Sequence, residues 1–468
     1  KKKKKQPQDL YGGWRINKAS QVNRAPAITS SAKNDETYVV IDDNGRTRKT
    51  GFDLLKSVIA GKPVVIYDTD SDGNRTLNED LTNQAKQKMQ ELRDAWSSHS
   101  TTNLESMKEI VEKFNRTVNA YVEQKMPNWL ISYEGMTPKW QSWLYDHQKS
   151  VASKIALGNN VLVAHRVGYG KTASGIAGLM EAKRLGAVRK PLIVVPNHLA
   201  AQWKKTFAEI YPGAKLLAPA ARDFNLDKRP ATMNRIQSGN WDAIILPESS
   251  YGKLSMSPAY VEQFFEDQIE QALQVVENAR REAGRDDRSI GELEAAVERL
   301  RNMLSKQLNQ AAKDSGPFFD ELGVDAIMVD EAHHFKNLPF YTQNTRVKGI
   351  NNQGSQKAFD MLMKTDFINQ RSNGRNVTFL TGTPIANSMT EAWTMMRYLM
   401  PRVMKDAGIL AFDDWKNAFG SLADKTRIDT VGRKPRIESV FARFENMPQL
   451  SALFQQVADI QMANNDVE

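Results

Sequence analysis

The sequence predicts an α/β fold built on a buried parallel sheet, with an inserted helical hairpin and a small α+β region ahead of it. Three observations carry this expectation. Five short apolar runs, "NVLVAH", "PLIVVP", "WDAIILP", "DAIMVDE" and "NVTFLTG", alternate with helical stretches between residues 160 and 382. Continuous apolar runs with helices between them mark strands covered on both faces. Each run leads directly into polar residues, and ligands of such sheets bind beyond the carboxyl ends of the strands.

Composition sets the outer limits. A chain of 468 residues, 40% hydrophobic and 25% charged, has the balance of a soluble globular protein and room for about three domains. No apolar run reaches the roughly 18 residues of a membrane span, and no apolar segment follows the lysines of "KKKKKQPQDLYGG" to make a secretory signal. Zero cysteines rules out disulfides, thiolate-held zinc and thiol catalysis, and fits a reducing cytoplasm. The net charge is +9, but Lys1 to Lys5 supply five of these charges, so only +4 remains on the rest of the chain. A terminal lysine run is commonly a solvated tail, and charge alone is weak support for nucleic-acid binding.

Residues 1–36 are polar and unpatterned and read as a flexible basic tail. An accessory α+β region follows over 37–135. Its opening, "TYVVIDDNGRTRK", reads as strand, Asn44-Gly45 turn and strand; "GFDLLKSVIAG" reads as a short helix and "KPVVIYD" as a strand. Helical patterning then begins at Glu79, with a break expected near "SSHSTTN". Within this region "DTDSDGNRTLNE", Asp68 to Glu79, satisfies the spacing of a calcium-binding EF-hand loop. A calcium site is rejected, because Arg75 stands where an aliphatic residue belongs and a strand precedes the loop where a helix is required.

The third and fourth apolar runs are separated by two helical stripes: Phe265, Ile269, Leu273 and Val276, then Ile290, Leu293, Val297, Leu300, Leu304 and Leu308. Ser289 and Glu292 have capping-box spacing at the second start. The stripes predict an antiparallel hairpin inserted at about 255–320, either packed on itself or presented to a partner. Further on, Lys425, Arg427, Arg433, Lys434, Arg436 and Arg443 form a basic stretch with Asp429 and Glu438 between them. It suits a phosphate track or a solvated face equally.

Chemistry concentrates at the ends of the apolar runs. "NVLVAHRVGYGKTASGIAG", residues 160–178, ends in the Gly170-Lys171-Thr172 of a phosphate-binding loop, although His165 stands where the full pattern has its first glycine. Gly168 and Gly170, flanking Tyr169, would let main-chain N–H groups approach phosphate oxygens. The helix start would attract the same anion. Lys171 would reach the β- and γ-phosphates of ATP and Thr172 would ligate Mg2+. Taken alone, the loop is open to working, decayed and chance readings. "AIMVDEAHHF" supplies what such a loop needs: Asp330 at a strand end to hold the metal and Glu331 to orient water. His333 and His334, adjacent on a strand-to-loop turn, converge poorly on one ion, so zinc is not expected.

The Asp330-Glu331-Ala332-His333 box resembles that of superfamily-two helicases and translocases, and the remaining boxes resemble their Swi/Snf-type branch. "LYDHQ" is similar to the box whose glutamine reads adenine, which implies that role for Gln148. "LIVVPNHLAAQWKKTF" and, loosely, "ILPESSYGKL" resemble the boxes that touch DNA, implying contacts near Pro196, Asn197, His198 and Ser249. "FLTGTPIANSMTEAW" resembles the box that couples nucleotide state to DNA, implying Thr381, Gly382 and Thr383, with His333, as coupling residues. The branch also lacks the first loop glycine, so "HRVGYGKT" departs at its basic pair His165-Arg166, where acids usually stand. Either Arg166 meets nucleotide or a neighbouring lobe, or the pair is neutral drift.

The resemblance implies a RecA-like ATPase lobe over 136–404, ATP and Mg2+ as cofactors, and duplex DNA as partner. The narrower likeness, carried by "KRLGAVRKPLIVVPNHLAAQW" and the helical insertion, is to phage and plasmid methylase–helicase proteins of the defence-against-restriction type. It implies a bacterial cytoplasm, with carriage in a virion for the phage members. Motors of this kind use a second RecA-like lobe, but no Q-x-x-R-x-x-R-like box occurs in residues 401–468. Residues 405–468 therefore read as a basic bridge toward a second lobe, supplied by a longer polypeptide or another chain. Neither N-P-P-[YF] nor a methyl-donor glycine loop occurs. The alternative to a motor is a DNA-binding or virion structural component with an ATPase fold and no turnover.

Overall fold

The parallel sheet has seven strands: β1 (Val161–His165), β2 (Pro191–Val195), β3 (Leu216–Leu217), β4 (Ala243–Pro247), β5 (Ala326–Val329), β6 (Val377–Thr381) and β7 (Ala458–Gln461). They lie in the order β7-β1-β6-β5-β2-β4-β3, and every pairing is parallel. The computed structural model describes residues 14–16, 28–30, 38–59, 64–69, 75–102, 131–283, 288–312, 316–342, 354–385, 388, 390–428 and 435–461.

The apolar runs are continuous because both faces of the sheet are covered. Side chains alternate across a strand, and here the alternation divides them between two cores. Leu162, Leu192, Ile244, Ile327 and Phe379 enter one core; Val163, Ile193, Ile245, Met328 and Leu380 enter the other. The second core is closed by α1 (Asp146–Ala156), α2 (Lys171–Arg184) and α3 (Ala200–Ile210), through Ile155, Ile176, Trp203 and Phe207. The first is closed by α4 (Pro258–Ala283), α5 (Arg288–Ala311), α6 (Gln356–Arg371), α7 (Thr390–Leu399) and α8 (Phe412–Phe419).

The expected hairpin is α4 and α5, joined by an Arg280–Glu294 ion pair. Its stripes are spent internally: Phe265, Val276, Ile290, Leu293, Val297 and Leu300 are buried, and Phe265 lies 5.2 Å from the Phe359 ring of α6. Leu273 departs from the stripe and is exposed. α5 starts at Arg288, so Ser289 falls inside its first turn rather than ahead of it.

Ahead of the sheet, Val40–Ile41 pairs with Thr47–Lys49 around Gly45, whose φ of +74° suits the Asn-Gly turn. Helices Gly51–Ile59 and Glu79–Thr102 pack over this hairpin through Leu54, Leu81, Ala85 and Met89, with Val40, Val64 and Ile66. The helix from Glu79 extends to Thr102, within the stretch where a break is expected, and residue 103 lies outside the described residues. Tyr67–Thr69 pairs with Arg75–Leu77, and the Asp68 carboxylate is taken up by Arg48 (2.8 Å) and Asn78 (2.7 Å). Residues expected to form a tail include an antiparallel pair, Trp14–Ile16 with Ile28–Ser30.

Residues after 404 continue in the same core. Trp415 and Phe441 are buried in it, the antiparallel pair Gly420–Ile428 and Pro435–Phe444 follows, and the chain returns as β7 beside β1. Arg433 and Lys434 of the basic stretch lie outside the described residues, while Arg443 pairs with Glu445 at 3.6 Å.

Candidate functional site

The glycine loop fills the gap between the end of β1 and the start of α2. Gly168 and Gly170 hold φ values of +90° and +74°, a left-handed region that disfavours a Cβ. At Gly170 a Cβ would also stand 2.0 Å from Gln148 Nε2. Gly170 caps α2 with no side-chain hydrogen bond, so it supplies no acceptor to the first N–H groups of the helix. Lys171 Nζ rests on the carbonyl oxygens of His165 (3.0 Å) and Arg166 (3.4 Å). Two positive-φ glycines, an uncapped helix start, a lysine and the half-buried Thr172 fit a phosphate with its cation.

Gln148 is buried on α1. Its Oε1 accepts from Tyr145 N at 3.0 Å and its Nε2 donates to Tyr169 O at 3.1 Å, tying the glycine loop to this helix. His147 reaches the same carbonyl at 3.2 Å and stacks on the exposed Tyr145. α1 and α2 approach closely because residue 178 is glycine: a Cβ there would lie 2.7 Å from Ile155 Cβ.

Asp330 leaves β5 buried beside β2. Its Oδ2 accepts a 2.7 Å bond from Trp203 Nε1, and its Oδ1 accepts from Glu331 N at 3.0 Å. Burial pushes the Asp330 carboxyl up; the Trp203 bond opposes this and the Glu331 charge adds to it. Glu331 has a φ of +50°, rare for a residue with a side chain and worth about 1–3 kcal/mol of strain held by its surroundings. Its Oε2 lies 3.1 Å from His333 Nδ1, which is also 3.1 Å from Thr381 Oγ1. Thr381 Oγ1 in turn accepts from Thr383 N at 3.1 Å. Gly382 packs the same turn onto the glycine loop, its Cβ position lying 3.4 Å from Val167 and 3.9 Å from Lys171 Nζ. The ends of β1, β5 and β6 therefore meet in one cluster: Lys171, Asp330, Glu331, His333 and Thr381 to Thr383. Burial pushes the His333 imidazole down, the Glu331 charge opposing.

A second group lies along the same edge. Asn197 and His198 are exposed after β2, with Pro196 buried; Ser249 is exposed after β4. Asn197 Oδ1 accepts from Ser249 N at 3.1 Å, joining the two loops. His334 bonds Glu248, and Lys357 lies 3.5 Å from the same carboxylate. The two adjacent histidines thus go to different partners, one to each group.

Sequence reasoning missed Trp203, Glu248 and Asp459. A tryptophan buried in a core needs an acceptor for its N–H, which was the one available signal for the first. Asp459 of β7 holds His165 at 2.8 Å.

Comparison with known proteins gives two family matches. A family described as a probable helicase domain matches residues 155–462, and a domain family of unknown function matches residues 5–120. The chain is 23% identical over 403 residues to defense against restriction protein B of Escherichia phage P1, covering 76% of this chain. It spans 17% of that relative's length. Among solved structures, the SWI2/SNF2 ATPase core domain of Sulfolobus solfataricus matches at 14% identity, covering 74% of this chain and 48% of that one, with a TM-score of 0.37. The same organism's SWI2/SNF2 ATPase core in complex with dsDNA matches at 15% identity, covering 62% and 41%, with a TM-score of 0.32. Among the described residues no helix is long and apolar enough to cross a membrane.

Proposed function

The chain belongs to the family of probable helicase domains, and from that membership we propose that it is the first RecA-like lobe of an ATP-dependent, Swi/Snf-like DNA motor. The observation that carries this reading is the bridge made by His333 between Glu331 and Thr381. A general acid–base carboxylate that shares one imidazole with the turn beside the glycine loop is the arrangement expected where hydrolysis drives movement.

Each residue has a role in this reading. Gly168, Tyr169 and Gly170 cradle phosphates with their main chain, Lys171 neutralises them, and Gln148 faces adenine. Thr172 and Asp330 would hold Mg2+, and Glu331 orients and deprotonates water. When bound, Mg2+ supplies charge neutralisation on the phosphate oxygens. Thr381, Gly382 and Thr383, with His333, pass the state of the site to the loops of Pro196, Asn197, His198 and Ser249, which contact duplex DNA. A second RecA-like lobe, from a longer polypeptide or another chain, completes the nucleotide site. The likeness to the phage protein supports a role in phage anti-restriction; the bacterial cytoplasm, with carriage in the virion, is the setting proposed with it.

The test is displacement of a third strand from duplex DNA by the full-length polypeptide. ATP-dependent displacement without separation of the duplex strands is expected. DNA binding with neither displacement nor phosphate release contradicts the motor and favours a silent DNA-binding component.

A further inference from the structure

β7 runs beside β1 as far as the mouth of the glycine loop. Gln461 stands opposite His165, and Arg166 N donates to Gln461 O at 3.2 Å. Asp459 turns from this strand onto the same junction. Its Oδ1 accepts from His165 Nε2 at 2.8 Å and its Oδ2 from Lys154 Nζ at 2.9 Å. His165 is fully buried, and its Nδ1 has no partner among the described residues. The bond to Asp459 is therefore the ring's polar anchor. Lys154 belongs to α1, the helix whose Gln148 and His147 both hold Tyr169 O.

One carboxylate thus joins the two walls of the loop: the end of β1, on whose carbonyl Lys171 rests, and the helix carrying Gln148. Burial alone would push the Asp459 carboxyl up, but its bonds to His165 and Lys154 outweigh this and hold it below the ordinary carboxylate range. A buried charge of this kind is costly to leave unpaired, which favours keeping the three side chains together.

We propose that Asp459 is a positioning residue for the nucleotide loop, fixing through His165 and Lys154 the spacing between the loop and the Gln148 helix. The inference rests on the nucleotide reading of that loop. It also gives the basic His165 a function: it takes its acid from the edge strand.

The test titrates a fluorescent ATP analogue with Mg2+ into the full-length polypeptide and its Asp459→Ala and Asp459→Asn variants, beside thermal melting without nucleotide. Asp459→Ala is expected to bind about tenfold more weakly, the order set by a buried polar group left unpaired. Asp459→Asn keeps an acceptor for His165 but turns amide hydrogens toward Lys154, so it falls between. A merely structural pair would lower the melting temperature and leave the affinity of the folded protein unchanged, which overturns the inference. If Asp459→Ala does not fold, Asp459→Asn decides, and wild-type affinity in it overturns the inference. Absence of binding by the wild type overturns the nucleotide reading and this inference with it. Undiminished binding in both variants overturns this inference alone.

Discussion

Trp203 Nε1 donates a 2.7 Å hydrogen bond to Asp330 Oδ2, with both side chains buried between α3 and the end of β5. Burial already pushes the Asp330 carboxyl up, and this bond is the main opposing influence. Trp203→Phe keeps most of the ring and deletes the donor. The carboxylate then loses a buried partner, a cost of about 1–3 kcal/mol, and its charged form becomes harder to maintain. ATP turnover should fall about tenfold or more in a folded protein; wild-type turnover would show that the bond does not serve the site.

His333 sets a pH dependence. Burial holds its pKa below the ordinary 6.5, so below that pH the unfolded chain takes up a proton that the folded chain does not. Stability is therefore full above pH 6.5 and declines as pH falls from 6.5 toward the lowered value. Urea melts of the wild type should show this acid-side slope, and His333→Asn should reduce it. An identical slope in both would assign it to other groups.

Gly178 lets α2 lie against α1. Alanine there would bring a Cβ to 2.7 Å from Ile155 Cβ and 3.0 Å from the Ala152 backbone. Gly178→Ala should destabilise the fold by about 1–3 kcal/mol despite the better helix propensity of alanine. The measurement is the chemical-denaturation midpoint, and an unchanged or raised midpoint would contradict the packing argument.

Lys364 is fully buried, bonded to Asp360 at 2.7 Å and to Tyr251 O at 3.2 Å, with its ammonium 4.2 Å from the Tyr251 ring centre. Burial pushes its pKa down and that of Asp360 up, each opposed by the other's charge. Asp360→Ala strands an ammonium in the core and should cost about 3–5 kcal/mol, whereas Lys364→Met with Asp360→Leu should cost far less. Equal losses in single and double variants would mean that packing, not charge, governs the site.

The interior strands were legible because burial on both faces writes them as unbroken apolar runs. The edge strands were not: β3 has two residues and β7, "ADIQ", carries an acid and an amide. The loop residues of the site could be assigned to strand ends, since a parallel sheet brings those ends to one edge. Their partners could not be read. Trp203 lies 127 residues from Asp330, His334 86 from Glu248 and Asp459 294 from His165. Each pairing depends on the spatial order of elements, which local patterning does not encode.

The account stands on Glu331 and Lys171 meeting at a hydrolytic site, and phosphate release by the full-length polypeptide tests this most directly. Release is measured with and without duplex DNA, for wild type, Glu331→Gln and Lys171→Ala. The account predicts DNA-stimulated release by the wild type. It also predicts loss of at least about a hundredfold in each variant, with nucleotide binding kept in Glu331→Gln and lost in Lys171→Ala. DNA-stimulated release undiminished in either variant would contradict it.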